Sequence, residues 1–201
     1  MTRAPVYLDI VVRSSVGLCW LVLVAALLFR KKPWEVPGLK RDWTSMVGVA
    51  LQSVAFVIVP LWRRERLTPI VQLGVSIEIA LAIATIGLGL GSVWITLAAI
   101  STLGKQWSVA AKMVEGHRLV TEGLYGVVRH PIYAGYFGLL LATGLAFSHL
   151  RALLLAILLF WTGAVIRIRT EERLLREEFG QEFEAYARRV PAVFPRLRRD
   201  S

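Results

Sequence analysis

Five long apolar runs constrain the fold of this chain more than any other feature. A bilayer core about 30 Å thick needs about 20 helical residues to cross it. The runs lie at residues 8–29, 43–62, 70–103, 131–147 and 152–166. The composition agrees, since 56% of the residues are hydrophobic and 19% are charged, against about 45–50% and about 25% in soluble domains. The sequence therefore predicts an all-α integral membrane protein with about five transmembrane helices.

The third run is too long for one upright span, because its residues at 1.5 Å each would reach roughly 50 Å. It forms either one long tilted helix or two short helices hinged at Gly87, Gly89 and Gly91. We favour one helix that projects past the membrane surface, with the glycines serving close helix packing. The fifth run is short, but it can extend if Arg167 and Arg169 reach the interface with their charged ends.

Basic residues cluster at the ends of these runs and give a formal net charge of +10. Beside apolar runs such charge orients helices and contacts anionic headgroups, so we expect membrane lipids rather than nucleic acid as partners. With five spans, the basic loop 30–41, the segment 105–129 and the C-terminal tail share one side, which the positive-inside rule makes cytoplasmic. The N-terminus is then outside. The basic cluster 63–66 stands against this arrangement.

The chain is expected to form one membrane-embedded domain over residues 1–201. Three N-terminal spans occupy 1–103, and a catalytic region with a two-span hairpin and a cytoplasmic tail occupies 104–201. The first run is interpreted as a retained span rather than a cleaved signal, because Asp9 and Arg13 interrupt its start. The single cysteine, Cys19, lies in that run, so we expect no disulfide framework and no metal site.

The second half carries the polar segments in which chemistry is expected. The connection 104–125 is too long for a bare turn and predicts a small hairpin-like or extended excursion at the surface. Pro131 suits the first position of the fourth helix. After the fifth run, an apolar stripe predicts a C-terminal amphipathic helix that Gly180 can bend and that folds back onto the membrane surface. Its members are Leu175, Phe179, Phe183, Tyr186 and Val190.

A series of linked motifs in this half resembles the isoprenylcysteine carboxyl methyltransferase family and its bacterial and archaeal relatives. The motifs are Gly116-His117-Arg118-Leu119-Val120-Thr121, Gly123, Tyr125, Arg129-His130-Pro131, Tyr133 and Gly135, then Glu171-Glu172, Phe179-Gly180, Tyr186, Val190-Pro191 and Pro195. Their order and spacing both match over roughly residues 104–195. The pattern is also similar to that of phospholipid methyltransferases.

The resemblance implies an enzyme that uses S-adenosylmethionine. It assigns cofactor contacts to Lys112, His117, Arg118, Leu119, Val120, Tyr125, His130, Pro131, Ile132, Tyr133, Glu171 and Glu172. It places Arg167 at a substrate-contacting position, so Arg167 and Glu171 become the candidate catalytic residues. The competing interpretation is structural: Arg167 and Glu171 are four apart and can form a helical ion pair, and the tyrosines can belong to an interfacial belt.

The implied reaction is methyl transfer to a lipophilic acceptor that enters sideways from the bilayer. The resemblance implies carboxyl O-methylation of an isoprenylcysteine-like or other isoprenoid acid. A carboxylate is already ionised at neutral pH, so this reaction needs no general base. A phospholipid or lipid-amine N-methyltransferase is the alternative, with Glu171 or Glu172 as the base. We expect a monomer or weak oligomer in a bacterial inner membrane, with the active site cytoplasmic.

Two hypotheses from other classes stay open. A membrane reductase of the sterol reductase type would use NADPH to reduce a sterol or isoprenoid, and its site should add basic and hydroxyl groups for the cofactor phosphates. In a non-catalytic membrane scaffold the motifs would serve packing alone.

Overall fold

The computed structural model describes residues 6–29, 43–64, 74–104, 107 and 118–195. These ranges contain α-helices, one short 3-10 helix at Gly123–Gly126 and no strand. The α-helices are α1 (Val6–Leu28), α2 (Trp43–Leu61), α3 (Val75–Leu103), α4 (Pro131–Phe147), α5 (Leu150–Phe179) and α6 (Gln181–Arg189). The predicted all-α class is confirmed.

Four of these helices, α1, α2, α3 and α5, are long and apolar enough to cross a membrane. Helix α4 is apolar but has only 17 residues, or about 25 Å at 1.5 Å per residue. It lies beside α3 over the stretch from Ala82 to Ala99, because Ile132 shares a cluster with Ala99 and Ala146 shares one with Ala82. The predicted integral membrane fold is therefore confirmed as four long spans and one shorter apolar helix.

The third apolar run forms a single helix in the described part of the chain, because α3 continues unbroken from Val75 to Leu103. Of its central glycines, Gly89 packs closely: a Cβ atom there would lie 3.3 Å from Sγ of Cys19 on α1. At Gly87 and Gly91 an added Cβ would meet nothing within 4 Å. One glycine of the three therefore serves helix packing, and none acts as a hinge.

The bundle is built from two tight helix pairs, α2 with α5 and α3 with α4, and α1 lies against α3 and α4. Phe160 of α5, Ala55 of α2 and Leu140 of α4 share one buried cluster. The outer faces carry exposed large apolar side chains such as Leu21 and Leu158, as expected where the surrounding solvent is lipid.

Two glycines set the distance between α3 and α4. A Cβ atom at Gly135 would lie 2.2 Å from Oγ1 of Thr96, and one at Gly138 would lie 2.2 Å from Oγ of Ser92. Small residues of this kind let membrane helices approach closely. This contact fixes the first turns of α4 against α3.

At the end of the bundle where α4 finishes, Arg64 caps that helix. Its guanidinium donates to the carbonyls of Leu145 and Ala146 at 2.8 and 3.1 Å, and its backbone N–H donates to Phe147 O at 2.9 Å. A cation at a helix C-terminus satisfies the last carbonyls and the helix dipole. The basic cluster 63–66 thus contains a buried structural arginine, while residues 65 and 66 lie outside the described residues.

Candidate active site

The candidate site lies at the other end of the bundle, where α4 begins and the polar part of α5 ends; we call this the site end. His130 is the residue before Pro131, which starts α4. The segment after α6 crosses here, because the backbone N–H groups of Arg129 and His130 donate to Pro191 O and Ala192 O, both at 2.8 Å. The tail therefore folds back onto the start of α4.

Tyr133, Arg167 and Glu171 form the inner part of the site. Nε of Arg167 donates to the Tyr133 hydroxyl at 2.6 Å, and that hydroxyl donates to Oε1 of Glu171 at 2.5 Å. Nη2 of Arg167 lies 3.4 Å from the same carboxylate oxygen. The guanidinium carbon is 5.4 Å from the centre of the tyrosine ring, within cation-π range. One tyrosine of α4 thus connects the arginine and the carboxylate of α5.

Glu172 forms the second part, next to the tail. Its Oε1 accepts from Nη2 and Nε of Arg129, at 2.6 and 3.0 Å, and lies 3.2 Å from Nε2 of His130. Its Oε2 accepts from Arg176 at 3.2 Å. Arg129 also donates through Nη1 to the carbonyls of Ala187 and Val190. Arg129 therefore ties the tail to Glu172 by charge-assisted hydrogen bonds, which are stronger than neutral ones.

His130 lies between the two carboxylates, with Nδ1 at 3.5 Å from Oε2 of Glu171 and Nε2 near Glu172. Burial acts to lower the pKa of His130, but hydrogen bonds and charges from Glu171 and Glu172 outweigh it, so the pKa is raised above its usual value. The imidazole is buried at 7% exposure. The protonated imidazole has an N–H on each ring nitrogen, so it can face Glu171 with one and Glu172 with the other.

Tyr125 forms a wall of the site beside α3. Its ring packs with Ala99 and Val120, and Ile132 lies against the same cluster. Its backbone carbonyl accepts from the Tyr186 hydroxyl of α6 at 2.7 Å. Burial, followed by the charge of Glu171, raises the pKa of the Tyr125 hydroxyl well above its usual range, so this hydroxyl stays neutral.

The structure brings most of the predicted site residues together, though not all of them. One connected site contains His130, Tyr133, Arg167, Glu171 and Glu172, with Val120, Tyr125, Pro131 and Ile132 at its border. Leu119 is half-buried, and Arg118 forms an exposed surface pair with Glu122 at 2.8 Å. Lys112 and His117 lie outside the described residues.

Two residues of this site were absent from the predicted set. Arg129 precedes His130 in the Arg-His-Pro motif, and this position was its only signal. Tyr186 belongs to the predicted apolar stripe of the tail, but a stripe does not reveal that its hydroxyl reaches Tyr125. Both residues join the tail to the site, so their roles depend on tertiary contacts.

Comparison with known proteins supports the resemblance drawn from the motifs. Residues 84–177 match the model of the isoprenylcysteine carboxyl methyltransferase family. The chain is 40% identical over 87 residues to the protein-S-isoprenylcysteine O-methyltransferase of Schizosaccharomyces pombe, covering 43% of this chain and 37% of that one. It is 32% identical over 99 residues to protein-S-isoprenylcysteine O-methyltransferase B of Arabidopsis thaliana, covering 48% and 50%.

A bacterial relative carries a different name. The cobalt-zinc-cadmium resistance protein CzcN of Cupriavidus metallidurans is 41% identical over 118 residues, covering 55% of this chain and 50% of that protein. The chain thus spans half or less of the length of these three relatives. The matched region contains α4 and most of α5, and so includes His130, Tyr133, Arg167, Glu171 and Glu172.

Proposed function

Because residues 84–177 match the isoprenylcysteine carboxyl methyltransferase family, we propose that this protein is a membrane methyltransferase that uses S-adenosylmethionine. The observation that carries the proposal is the hydrogen-bonded group of Tyr133, Arg167 and Glu171 at the site end. In this group Arg167 supplies a cation that can bind an acidic acceptor. Glu171 and Tyr133 supply a carboxylate and an aromatic ring that can bind a cationic cofactor. All three residues lie in the matched region.

The residues of the site fit S-adenosylmethionine chemically. The cofactor is a sulfonium cation, and carboxylates and aromatic faces stabilise such groups. Glu171 and Glu172 supply the carboxylates, while Tyr125 and Tyr133 supply the rings. We propose that these four residues hold it together with His130. Lys112, His117, Arg118 and Leu119 remain predicted contacts. When bound, the cofactor supplies an activated methyl group on positively charged sulfur.

Arg167 is proposed to bind the acceptor. A guanidinium binds a carboxylate through directed, charge-assisted hydrogen bonds, which a lysine ammonium does not match in geometry. Tyr133 and Glu171 both contact this guanidinium, so its direction is set before the acceptor arrives. Methyl transfer requires the nucleophile to approach opposite the leaving sulfur, and orientation together with exclusion of water supplies much of the acceleration.

A carboxylic acid fits this site better than an amine does. A carboxylate is ionised at neutral pH and attacks without losing a proton, whereas an amine acceptor needs a base. Both candidate bases are already engaged by cations: Glu171 lies near Arg167 and His130, and Glu172 near Arg129 and Arg176. Such partners keep a carboxylate ionised and weaken it as a base. The proposed acceptor is therefore an isoprenylcysteine-like or other isoprenoid acid.

The acceptor is proposed to reach Arg167 from the bilayer. The lipophilic part of the acceptor partitions into the bilayer. Arg167 directly follows the apolar run 152–166 of α5, so it lies at the end of the membrane-embedded part of that helix. From the basic loop 30–41 and the basic tail, we place the site end on the cytoplasmic side of a bacterial inner membrane.

Cofactor binding to the detergent-purified protein tests the proposal. Titration calorimetry should show saturable binding of S-adenosylmethionine, or of its demethylated product, in the micromolar range. NADPH should give no saturable heat. Saturable NADPH binding with no response to either sulfur nucleotide would instead support a reductase, and no response to any of the three would support a scaffold.

A further inference from the structure

Helix α2 lies outside the residues that match the family, yet it contacts the arginine of the site. A Cβ atom built on Gly48 would lie 2.5 Å from Cγ and 3.2 Å from Cδ of Arg167. It would also lie 2.7 Å from the carbonyl oxygen of Gly163 on α5. Distances under 3.0 Å essentially never occur around a real Cβ. The aliphatic stem of Arg167 therefore occupies space that exists only because residue 48 has no side chain.

The path of that stem decides where the guanidinium points. From α5 the stem passes against α2 at Gly48, and its Nε then meets the Tyr133 hydroxyl of α4 at 2.6 Å. The side chain is 11% exposed. Ser45 and Gln52, one turn to either side of Gly48, are buried on the same face of α2. The stem is thus enclosed, and a methyl group at residue 48 would displace it or separate the helices.

We propose that Gly48 is a positioning residue, which directs the guanidinium of Arg167 toward Tyr133 and the acceptor's carboxylate. The part of this proposal that concerns the acceptor rests on the proposed function. It gives the N-terminal half of the chain a role in the chemistry, because α2 determines the geometry of a side chain on α5.

The chain offers a matched control at the same crossing of α2 and α5. A Cβ atom at Gly163 would lie 2.6 Å from the carbonyl oxygen of Gly48, 3.0 Å from Cγ of Gln52 and 3.1 Å from Cβ of Leu51. None of the three atoms nearest to that Cβ belongs to Arg167. Gly48→Ala and Gly163→Ala both strain the helix pair, but only the first meets the arginine stem.

Thermal unfolding of the full chain in detergent tests the contact without relying on activity. Gly48→Ala should lower the unfolding temperature of the wild-type protein. The same substitution should lower the unfolding temperature of the Arg167→Ala variant much less, because the stem is gone there. Gly163→Ala should lower the unfolding temperature equally with or without Arg167. If Gly48→Ala alone fails to fold, recovery in the Gly48→Ala/Arg167→Ala double variant supports the proposal. No recovery in the double variant overturns it.

Methyl transfer tests the positioning role. Gly48→Ala should lower kcat/KM for a prenylated acid by roughly 10- to 100-fold, as expected for a misplaced binding group, with unchanged cofactor affinity. When Arg167 is already alanine, Gly48→Ala should cause no more than the loss seen in Gly163→Ala, because only the strain between the two helices remains. Gly163→Ala should leave kcat/KM within a few-fold of wild type. Equal losses in Gly48→Ala and Gly163→Ala, or a loss of roughly 10-fold or more from Gly48→Ala in the Arg167→Ala background, would overturn the proposal.

If the wild-type protein methylates no acceptor, the proposed function fails, and labelling of Arg167 with phenylglyoxal judges the positioning separately. Peptide mass spectrometry measures the rate at which this arginine is modified. Faster modification in Gly48→Ala than in both Gly163→Ala and wild type supports a displaced guanidinium. Equal rates in the two alanine variants contradict it.

Discussion

At the scale of single residues, Arg167 is the most informative side chain, because the acceptor role and the cofactor role are assigned to groups one helical turn apart. Changing Arg167 to Ala should remove a charge-assisted contact with the acceptor. The expected loss is about 2–4 kcal/mol of transition-state stabilisation, or roughly 30- to 1000-fold in kcat/KM. Cofactor affinity should hardly change. Kinetics on a prenylated acid together with calorimetry of cofactor binding measure both quantities.

Arg173→Ala is the matched control for this prediction. Arg173 lies on the same helix and faces Glu177 four residues later at 3.9 Å, but both side chains are more than half exposed. Exposed pairs contribute about 0–1 kcal/mol, so kcat/KM should stay near the wild-type value. Unchanged kcat/KM in Arg167→Ala on every active acceptor would show that the substrate assignment is wrong.

His130 should make the stability of the site depend on pH. Its pKa is raised in the folded protein by Glu171 and Glu172, against the opposing effect of burial. A raised folded pKa means that the folded state binds the proton more tightly than the unfolded state does. The stabilisation is therefore complete below the ordinary value of 6.5 and is lost as the pH rises through the folded pKa.

Replacing His130 with Gln tests this linkage, because glutamine retains a hydrogen-bond donor and does not titrate. The wild-type unfolding temperature should fall as the pH is raised from 6.5, and the His130→Gln variant should lack that part of the dependence. Thermal unfolding in detergent across this range measures it. Parallel pH curves for the two proteins would mean that His130 does not carry the proton.

Much of the site was predictable from the order of the motifs, and the remainder depends on contacts between helices. The spacing of Arg167 and Glu171 indicates a pair on one helix face, which the structure contains at 3.4 Å. No spacing rule shows that the Tyr133 hydroxyl lies between them, since this bridge joins α4 to α5. The anchoring of the tail by Arg129 was missed for the same reason.

At the scale of elements, helices with sharp sequence boundaries were predicted closely. Helix α4 spans Pro131–Phe147 as predicted, because proline fixes its start and a polar pair, Ser148 and His149, follows its end. Helix α5 continues well past the apolar run to Phe179 and stops where Gly180 takes φ +49°. Hydropathy marks only the lipid-embedded part of such a helix, whereas its polar end is held by the tail.

The pairing of α2 with α5 was not predictable from apolar pattern. Between membrane helices lipid competes with the partner for apolar surface, so small residues and close packing select the pairing. Gly48 and Gly163 make that contact here, with an added Cβ on either one meeting the other's carbonyl oxygen within 2.7 Å. The first half of the chain therefore contributes a contact to the candidate site, at Gly48, that its apolar pattern does not reveal.

At the scale of the whole molecule, the alternating directions of the helices predict that the loop between α1 and α2 and the turn between α4 and α5 lie on opposite sides of the membrane. With Cys19 replaced, cysteines introduced near Lys32 and at His149 should label from opposite faces of the membrane. His149 is exposed between α4 and α5, so its substitution should disturb the fold little. The basic loop 30–41 predicts that the Lys32 site is cytoplasmic. Labelling of both sites from the same face would contradict this arrangement.

Arg64 explains why the number of basic residues in each loop did not give one consistent orientation of the helices in the membrane. The rule on positive loops concerns solvated charges, but Arg64 is 8% exposed and donates to the end of α4. Its role as a helix cap removes one basic residue from the cluster that opposed the predicted topology.

The most direct test of the account is the chemical form of the transferred methyl group. Purified protein is incubated with radiolabelled S-adenosylmethionine and an S-prenylcysteine analogue, with the corresponding carboxamide as control. Label is expected on the free acid as a base-labile methyl ester, and none is expected on the amide. Base-stable label on a lipid amine, or no transfer to any prenylated acid despite cofactor binding, would contradict it.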